Sequence, residues 1–436
     1  MDVLIRNVRL LGPAGVSRKI NIVVEENTIV NVARDTPPPG SKKGLVIEGD
    51  RKIALPGLVN AHIHTEETLW MNMIPDTAAH VPWFREHTLP YYRALSEQDS
   101  YWSSLLSYTL MLSHGITCCA DSANLWPEAD ADAAVKSGIR ALIALWTADL
   151  GDDFVHKTST CLRRLEEHLK KFSKKGRVSA ISSVIGTNAC SEELYKGALD
   201  LARAYGVRVT SHEASGSEDV LGCIERTGRT PVSFLNSIGF LSSRTVLSHV
   251  TDVSQEEVRF IKKRGSYVVL CPLTEMKKGK GLHHCGSYAE IVRLGVPLCV
   301  ATDNANSSNT LDVVKSASVF SLLVKDGLRD PSAFGAKEAL ASITEDAARV
   351  LGVQCGSLRR GRLADIALFD LDSPLLSLGD VYQGFIYGDT PTATDVLVDG
   401  EPVVLNGRFT QLKPEPIFKE ARARAERIAE KLGVAQ

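Results

Sequence analysis

Eight short apolar segments recur through the middle of this 436-residue chain, with amphipathic helical patterns between them. In order they are GLVNAHIH, GITCCADS, IRALIALWT, RVSAISSVIG, VRVTSHEAS, TVLSHVTD, YVVLCPL and PLCVATDNA. Intervening stretches such as SEELYKGALDLARAYG and SQEEVRFIKKRG repeat their apolar residues at helical spacing. Short apolar runs separated by helices are the mark of parallel strands covered on both faces. Eight such units predict an α/β chain folded as a (β/α)8 barrel of the TIM type. A doubly wound sheet is the competing architecture, but no G-x-G-x-x-G motif follows an early strand.

The two ends have a different texture. VLIRNVRLL, INIVVEENTIVNVA and GLVIEGDRKIALPG read as strands, with the polar loop DTPPPGSKKG between the last two. ADIALFDLD and TDVLVDGEPVVLNGRF read the same way near the C-terminus. Neither group is large enough to stand alone, so the expectation is one small composite β-sandwich built from both termini. The boundaries drawn are residues 1–56 for its first part, 57–357 for the barrel, and 358–436 for its second part plus a terminal helix. That helix, IFKEARARAERIAEKL, reads as a charged, solvated face.

Composition excludes several classes. Apolar residues make up 44% and charged residues 23%, as in an ordinary globular chain. A net charge of -2 gives no basic field for nucleic acid or anionic lipid. No apolar run approaches the ~18 residues of a membrane span. The nine cysteines are scattered without a Cys-x-x-Cys pair, so neither a disulfide framework nor a zinc ribbon is indicated. The N-terminus alternates like a strand and lacks signal-peptide features. A cytoplasmic location is expected.

In a barrel, functional groups gather where the strands stop. The first strand ends at His62-Ile63-His64, and alternation turns both imidazoles the same way. Later strands end at His212, His249 and Asp303. A lone histidine in such a place is most simply a hydrogen-bonded core residue. Four histidines and a carboxylate at matching strand ends instead form a donor set for zinc, iron, cobalt or manganese. A metal in such a set lowers the pKa of a bound water toward ~7. Asp303 would accept that water's proton, and His249 would stabilise charge on the attacked group.

PGLVNAHIH, HGITCCADS, SHV, CPL, ATDNANSSNTLDV and GSLRRGRLADIALFDLD together resemble the amidohydrolase superfamily. The likeness is to the branch containing cytosine, guanine, methylthioadenosine/S-adenosylhomocysteine and s-triazine deaminases and chlorohydrolases, and it spans nearly the whole chain. It implies the barrel with a composite β-sandwich, and one divalent metal, zinc before iron, held by His62, His64, His212 and Asp303. His249 would stand near the metal-bound water or join as a ligand. RVSAISSVIG contains no lysine that could bridge a second metal, which favours a mononuclear centre. The implied activity is attack of a metal-activated hydroxide on a C–N bond of a heterocyclic small molecule. Amide, carbamate or halide hydrolysis is the alternative within the superfamily, and a catalytically inactive barrel is the alternative outside enzymes. A homo-oligomer is expected from the resemblance alone, with a small-molecule substrate as the only other partner.

Three departures from that pattern stand on the substrate side. The relatives' His-x-x-Glu becomes His212-Glu213-Ala214-Ser215, so a serine stands where an acid is expected. Asn188 replaces a histidine in IGTNACSEEL, and Thr274-Glu275 replaces Ser-Asn in CPLTEMKKGKG. Glu213, Glu218 or Glu66 could restore the acid. Glu66, two residues beyond His64, is preferred on strand geometry. Trp70, Trp83 and Phe84, in a long segment after the first strand, are candidates to stack on a flat ring. His80, His87, His114, His156 and His168 read as structural or surface residues. GLHHCGS, with His283, His284 and Cys285, reads as a surface loop, and MKKGKG as a solvated one.

Overall fold

The computed structural model describes residues 2–12, 15–34, 44–173, 176–282 and 287–434. All eight central segments are strands: β7 (Leu58–Ile63), β8 (Ile116–Asn124), β9 (Arg140–Leu145), β10 (Val178–Gly186), β11 (Val209–Glu213), β12 (Thr245–His249), β13 (Tyr267–Leu270) and β14 (Leu298–Val300). They pair in parallel in chain order from β7 round to β14. The seam between β14 and β7 is closed by side chain as well as backbone. Asn60 donates to Thr302 Oγ1 at 2.7 Å and accepts from Thr302 N at 3.2 Å, while Asp303 N donates to His62 O at 3.1 Å. Small apolar residues, among them Ala61, Cys118, Ala144 and Cys299, fill the barrel interior, and a larger apolar layer lies between strands and helices.

The terminal strands form one ten-stranded sheet. Its members are β1 (Val3–Gly12), β2 (Gly15–Val16), β3 (Ile20–Glu25), β4 (Thr28–Ala33), β5 (Leu45–Glu48) and β6 (Lys52–Pro56) from one end. From the other come β15 (Ile366–Asp370), β16 (Asp395–Val398), β17 (Glu401–Leu405) and β18 (Arg408–Phe409). Antiparallel pairing of β6 with β15 joins the two groups. Val3, Ile5 and Ile22 share a core with Ile366, Leu368 and Leu397, so neither terminus buries its apolar face without the other.

The terminal helix, Pro414–Leu432, departs from the solvated reading. Ile417, Ala421, Ile428 and Ala429 are buried, and three of them pack with Trp70, Trp83, Tyr91 and Tyr92 beside the barrel mouth. Arg424 and Arg427 reach Asp99 at 2.8 and 2.7 Å, and Asp99 itself caps the helix Glu97–Ser113. Among the described residues no helix is long and apolar enough to cross a membrane, and the eight described cysteines are all buried and free.

Barrel and sheet are tied by Arg140, at the start of β9. Its guanidinium bonds Asp365 at 2.8 and 3.0 Å and Asp399 at 2.7 Å, and the Asp365 side chain is fully buried. Removing one partner of a buried pair leaves a charge without compensation. Asp365→Ala is therefore expected to cost about 3 kcal/mol of unfolding free energy, read as a lowered urea midpoint.

Candidate active site

The five side chains picked out at the strand ends converge at the barrel mouth. His62 lies in β7, where the ladder to β8 is irregular between Asn60 and Ile63, and His64 follows directly. Such irregularities re-aim side chains. His212 and His249 come from the adjacent strands β11 and β12, and Asp303 follows β14. The imidazole centroids lie 4.8 to 5.5 Å apart. His212 Nε2 is 3.2 Å from His64 Nε2, and Asp303 Oδ1 is 3.4 Å from His62 Nε2 and 3.6 Å from His64 Nε2. Gly186 in β10 is required here, because a Cβ would lie 2.5 Å from the His212 carbonyl oxygen.

The backbone is strained at the same place. His249, Val250 and Asp303 have φ of 76°, 49° and 60°. The left-handed region is unfavourable for such residues, above all for a β-branched one, and costs about 1–3 kcal/mol each. Val250 N, bonded to Glu213 O at 3.0 Å, helps to hold it.

The outward-facing ring nitrogens of His62, His212 and His249 are spoken for, while His64 Nδ1 is buried without a hydrogen-bond partner. His212 Nδ1 donates to the Ile185 carbonyl at 2.8 Å, and His249 Nδ1 donates to Glu275 Oε1 at 2.6 Å. A carbonyl or carboxylate can only accept, so both rings turn Nε2 inward. His62 Nδ1 sits between Ser122 Oγ and Ser248 Oγ, each at 3.1 Å, and its buried Nε2 has no hydrogen-bond partner. Burial pushes His62 and His212 below the usual histidine range and His64 down to about 3, which keeps them neutral. For Asp303, burial acts upward, but the neighbouring His62 and His249 rings hold the carboxyl well below its usual range. Neutral inward nitrogens, an ionised carboxylate and an unpartnered buried Nε2 fit a zinc-like divalent ion, for which the donors form two groups that share His62, one with His64 and Asp303 and one with His212 and His249.

Above this cluster opens a cavity of about 220 Å³. Seven of the eight strand ends contribute to its wall, from His64 after β7 round to Asp303 after β14, and after β13 the wall residue is Lys278, beyond the helix Pro272–Lys277. Trp83, Phe84, Asn188 and Ser215 line it. Two candidates do not. Trp70 stacks on Tyr91 at 5.2 Å, outside the cavity. Glu66 is turned away, accepting from Leu125 N at 3.0 Å, Trp126 N at 2.8 Å and Ser100 Oγ at 3.0 Å. After His64 the chain leaves the strand for a 3-10 turn, Thr65–Trp70, so Glu67, three residues on, takes the cavity position. Glu67 accepts from Tyr92 Oη at 2.6 Å, and burial pushes its carboxyl up to about 8. Glu213 is buried against Tyr195 and Ser211, and Glu218 is exposed.

Sequence reasoning also missed residues of the cavity and its support. His80 lines the cavity, where burial and the charges of Lys280 and Lys278 push it down to about 3. The solvated reading of MKKGKG fails because Lys278 lines the cavity and Lys280 is buried behind it. Lys280 Nζ lies 2.7 Å from Glu275 Oε2 and donates to Ser215 Oγ at 2.5 Å. Burial acts upward on Glu275, but Lys280 and His249 bring its carboxyl down to about 2. His168 bonds the Ile143 carbonyl at 2.9 Å, a structural role, while His87, His114 and His156 lie away from the cavity. His283, His284 and Cys285 lie outside the described residues.

The model of the amidohydrolase family matches residues 53–405. The chain is 27% identical over 424 residues to 5′-deoxyadenosine deaminase of Methanocaldococcus jannaschii, covering 96% of this chain and 98% of that protein. It is 29% identical over 403 residues to 5-methylthioadenosine/S-adenosylhomocysteine deaminase of Pyrococcus furiosus, covering 91% and 94%. Among solved structures, a zinc-bound adenosine deaminase of Xanthomonas campestris superposes with a TM-score of 0.90 at 23% identity, covering 98% of this chain and 99% of that one. A variant of atrazine chlorohydrolase from Arthrobacter aurescens, complexed with zinc and atraton, gives 0.90 at 24% identity, covering 97% and 100%. The chain belongs to the amidohydrolase family.

Proposed function

We propose that this enzyme is a zinc-dependent deaminase of a small heterocycle. Membership of the family makes it a metal-dependent hydrolase of carbon–nitrogen bonds. The metal's identity, the leaving group and the residue roles are the proposal. One observation carries it: two donor groups that share His62, one with His64 and Asp303 and one with His212 and His249, meet beneath a cavity walled by flat aromatic side chains. Zinc in the structures of similar fold supports that choice of metal.

A bound divalent ion supplies Lewis acidity, which makes water nucleophilic near neutral pH. Asp303, ionised and beside the ligand nitrogens, takes the proton that the attacking water gives up. His249 is fixed in orientation by Glu275 and turns Nε2 to the developing charge. Glu67 supplies the acid that Ser215 cannot. It is on the cavity wall, it holds its proton at neutral pH, and its Oε2 has no partner. It is placed to protonate a ring nitrogen as the amino group leaves.

Two measurements test this. The purified protein is expected to hold one zinc per chain by elemental analysis, and His62→Ala to lose most of it. Chelation should abolish turnover and added zinc restore it. Among aminopurines, aminopyrimidines, pterins and amino-triazines, at least one should release ammonia. On that substrate Glu67→Gln should lower kcat by about 10²–10⁴-fold. Zinc bound but no ammonia from any ring would transfer the assignment to amide, carbamate or halide hydrolysis.

A further inference from the structure

Lys278 places a cation inside the substrate cavity with no ion-pair partner of its own. Its Nζ lies 3.2 Å from the centre of the Trp83 ring, and both residues line the cavity. Among the described residues it forms no ion pair, although three acidic groups are near enough to act on it. Each is engaged elsewhere. Glu275 is held by His249 and Lys280, Asp303 belongs to the ligand cluster, and Glu67 accepts from Tyr92. Asp219, on the wall beside β11, accepts from Ser215 N at 3.1 Å. A buried ammonium is costly unless an opposite charge meets it, and the face of Trp83 offsets only part of that cost.

The cavity also limits size and shape. Its volume of about 220 Å³ lies below the ~300–1,000 Å³ typical of sites for drug-sized ligands. Trp83, Phe84, Tyr92 and Trp146 offer flat apolar faces around it. A single or fused ring matches that space better than a nucleoside does.

We propose that the substrate is a small planar heterocycle bearing a negative charge, as a ring carboxylate or an ionised ring oxygen, and that Lys278 binds that charge. This deepens the deaminase reading, since it rests on the same cavity holding the substrate.

The test is binding to the zinc-loaded protein, measured by calorimetry without turnover. The probes are pyridine-3-carboxylate, pyridine-4-carboxylate and pyrimidine-5-carboxylate, each against its own carboxamide. At least one carboxylate is expected to bind ten-fold or more tighter than its amide. Lys278→Met should remove that preference, while Lys278→Arg should keep most of it. Lys278→Gln, which retains a polar end without charge, serves if the methionine variant does not fold. Carboxylates no tighter than their amides, or a preference that survives loss of the charge, would overturn the inference. The two readings fail separately. A charge preference without ammonia from any ring removes the deaminase and leaves Lys278's role. Ammonia from neutral rings with no charge preference removes only the role of Lys278.

Discussion

A buried barrel mouth that holds four imidazoles and a carboxylate favours hydrogen bonds on the outward nitrogens and a cation at the inward ones. Most of the local architecture follows from that demand. Ser122 and Ser248 stand on two different strands so that one ring, His62, is gripped from both sides. Gly186 allows β10 to approach closely beside the His212 carbonyl, and the Ile185 carbonyl at the same strand end takes the His212 N–H. The left-handed turns at His249 and Asp303 are tolerated because the surrounding strands fix them. The same constraint explains the seam. Asn60 and Thr302 complete the hydrogen bonding of β14 to β7, which fixes His62 against Asp303 across the last joint of the barrel.

The fold was legible because its strands are short apolar runs bounded by turn residues, and this signal survives in a single sequence. The convergence of the four histidines and Asp303 was legible for a related reason: strand ends are fixed points in a barrel, so a histidine there has a predictable place. The cavity-facing carboxylate was misplaced by one residue. Strand alternation was carried past His64, where it selects Glu66, whereas the chain has already turned into a helix of three residues per turn that selects Glu67. Lys278 and Lys280 were lost because a run of lysine and glycine has the composition of a solvated loop. Their partners are Glu275, a few residues upstream, and Trp83 and Ser215, which lie far away in sequence. The terminal helix failed similarly: its buried stripe consists of two isoleucines and two alanines, a weak signal among so many charges.

That helix also gives the C-terminus a part in the site. Ile428 and Ala429 pack under the aromatic group that includes Trp83 and Tyr92, and both of those residues line the cavity. Arg424 and Arg427 clamp the helix to Asp99. The roof over the substrate is thus held from behind by the far end of the chain. The position of Trp83, and with it the cation at Lys278, depends on packing as much as on the barrel itself.

Two of the three departures from the family pattern are one physical unit. Glu275, where the resemblance implies a neutral amide, places a carboxylate at a fully buried position, and such a group needs donors and a cation around it. His249 meets one oxygen and Lys280 the other. Lys280 must then extend along the cavity wall, and its ammonium reaches the Ser215 hydroxyl. A short side chain at 215 leaves room for that contact, whereas a longer acid there would meet the ammonium head-on and be drawn into a salt bridge. A residue in that bridge would hold its proton poorly, because a neighbouring cation favours the ionised carboxylate. Glu67 lies on another wall, and there burial outweighs the nearby Lys278 and keeps the acid protonated. The serine at 215 and the carboxylate at 275 are therefore parts of one arrangement, joined through Lys280.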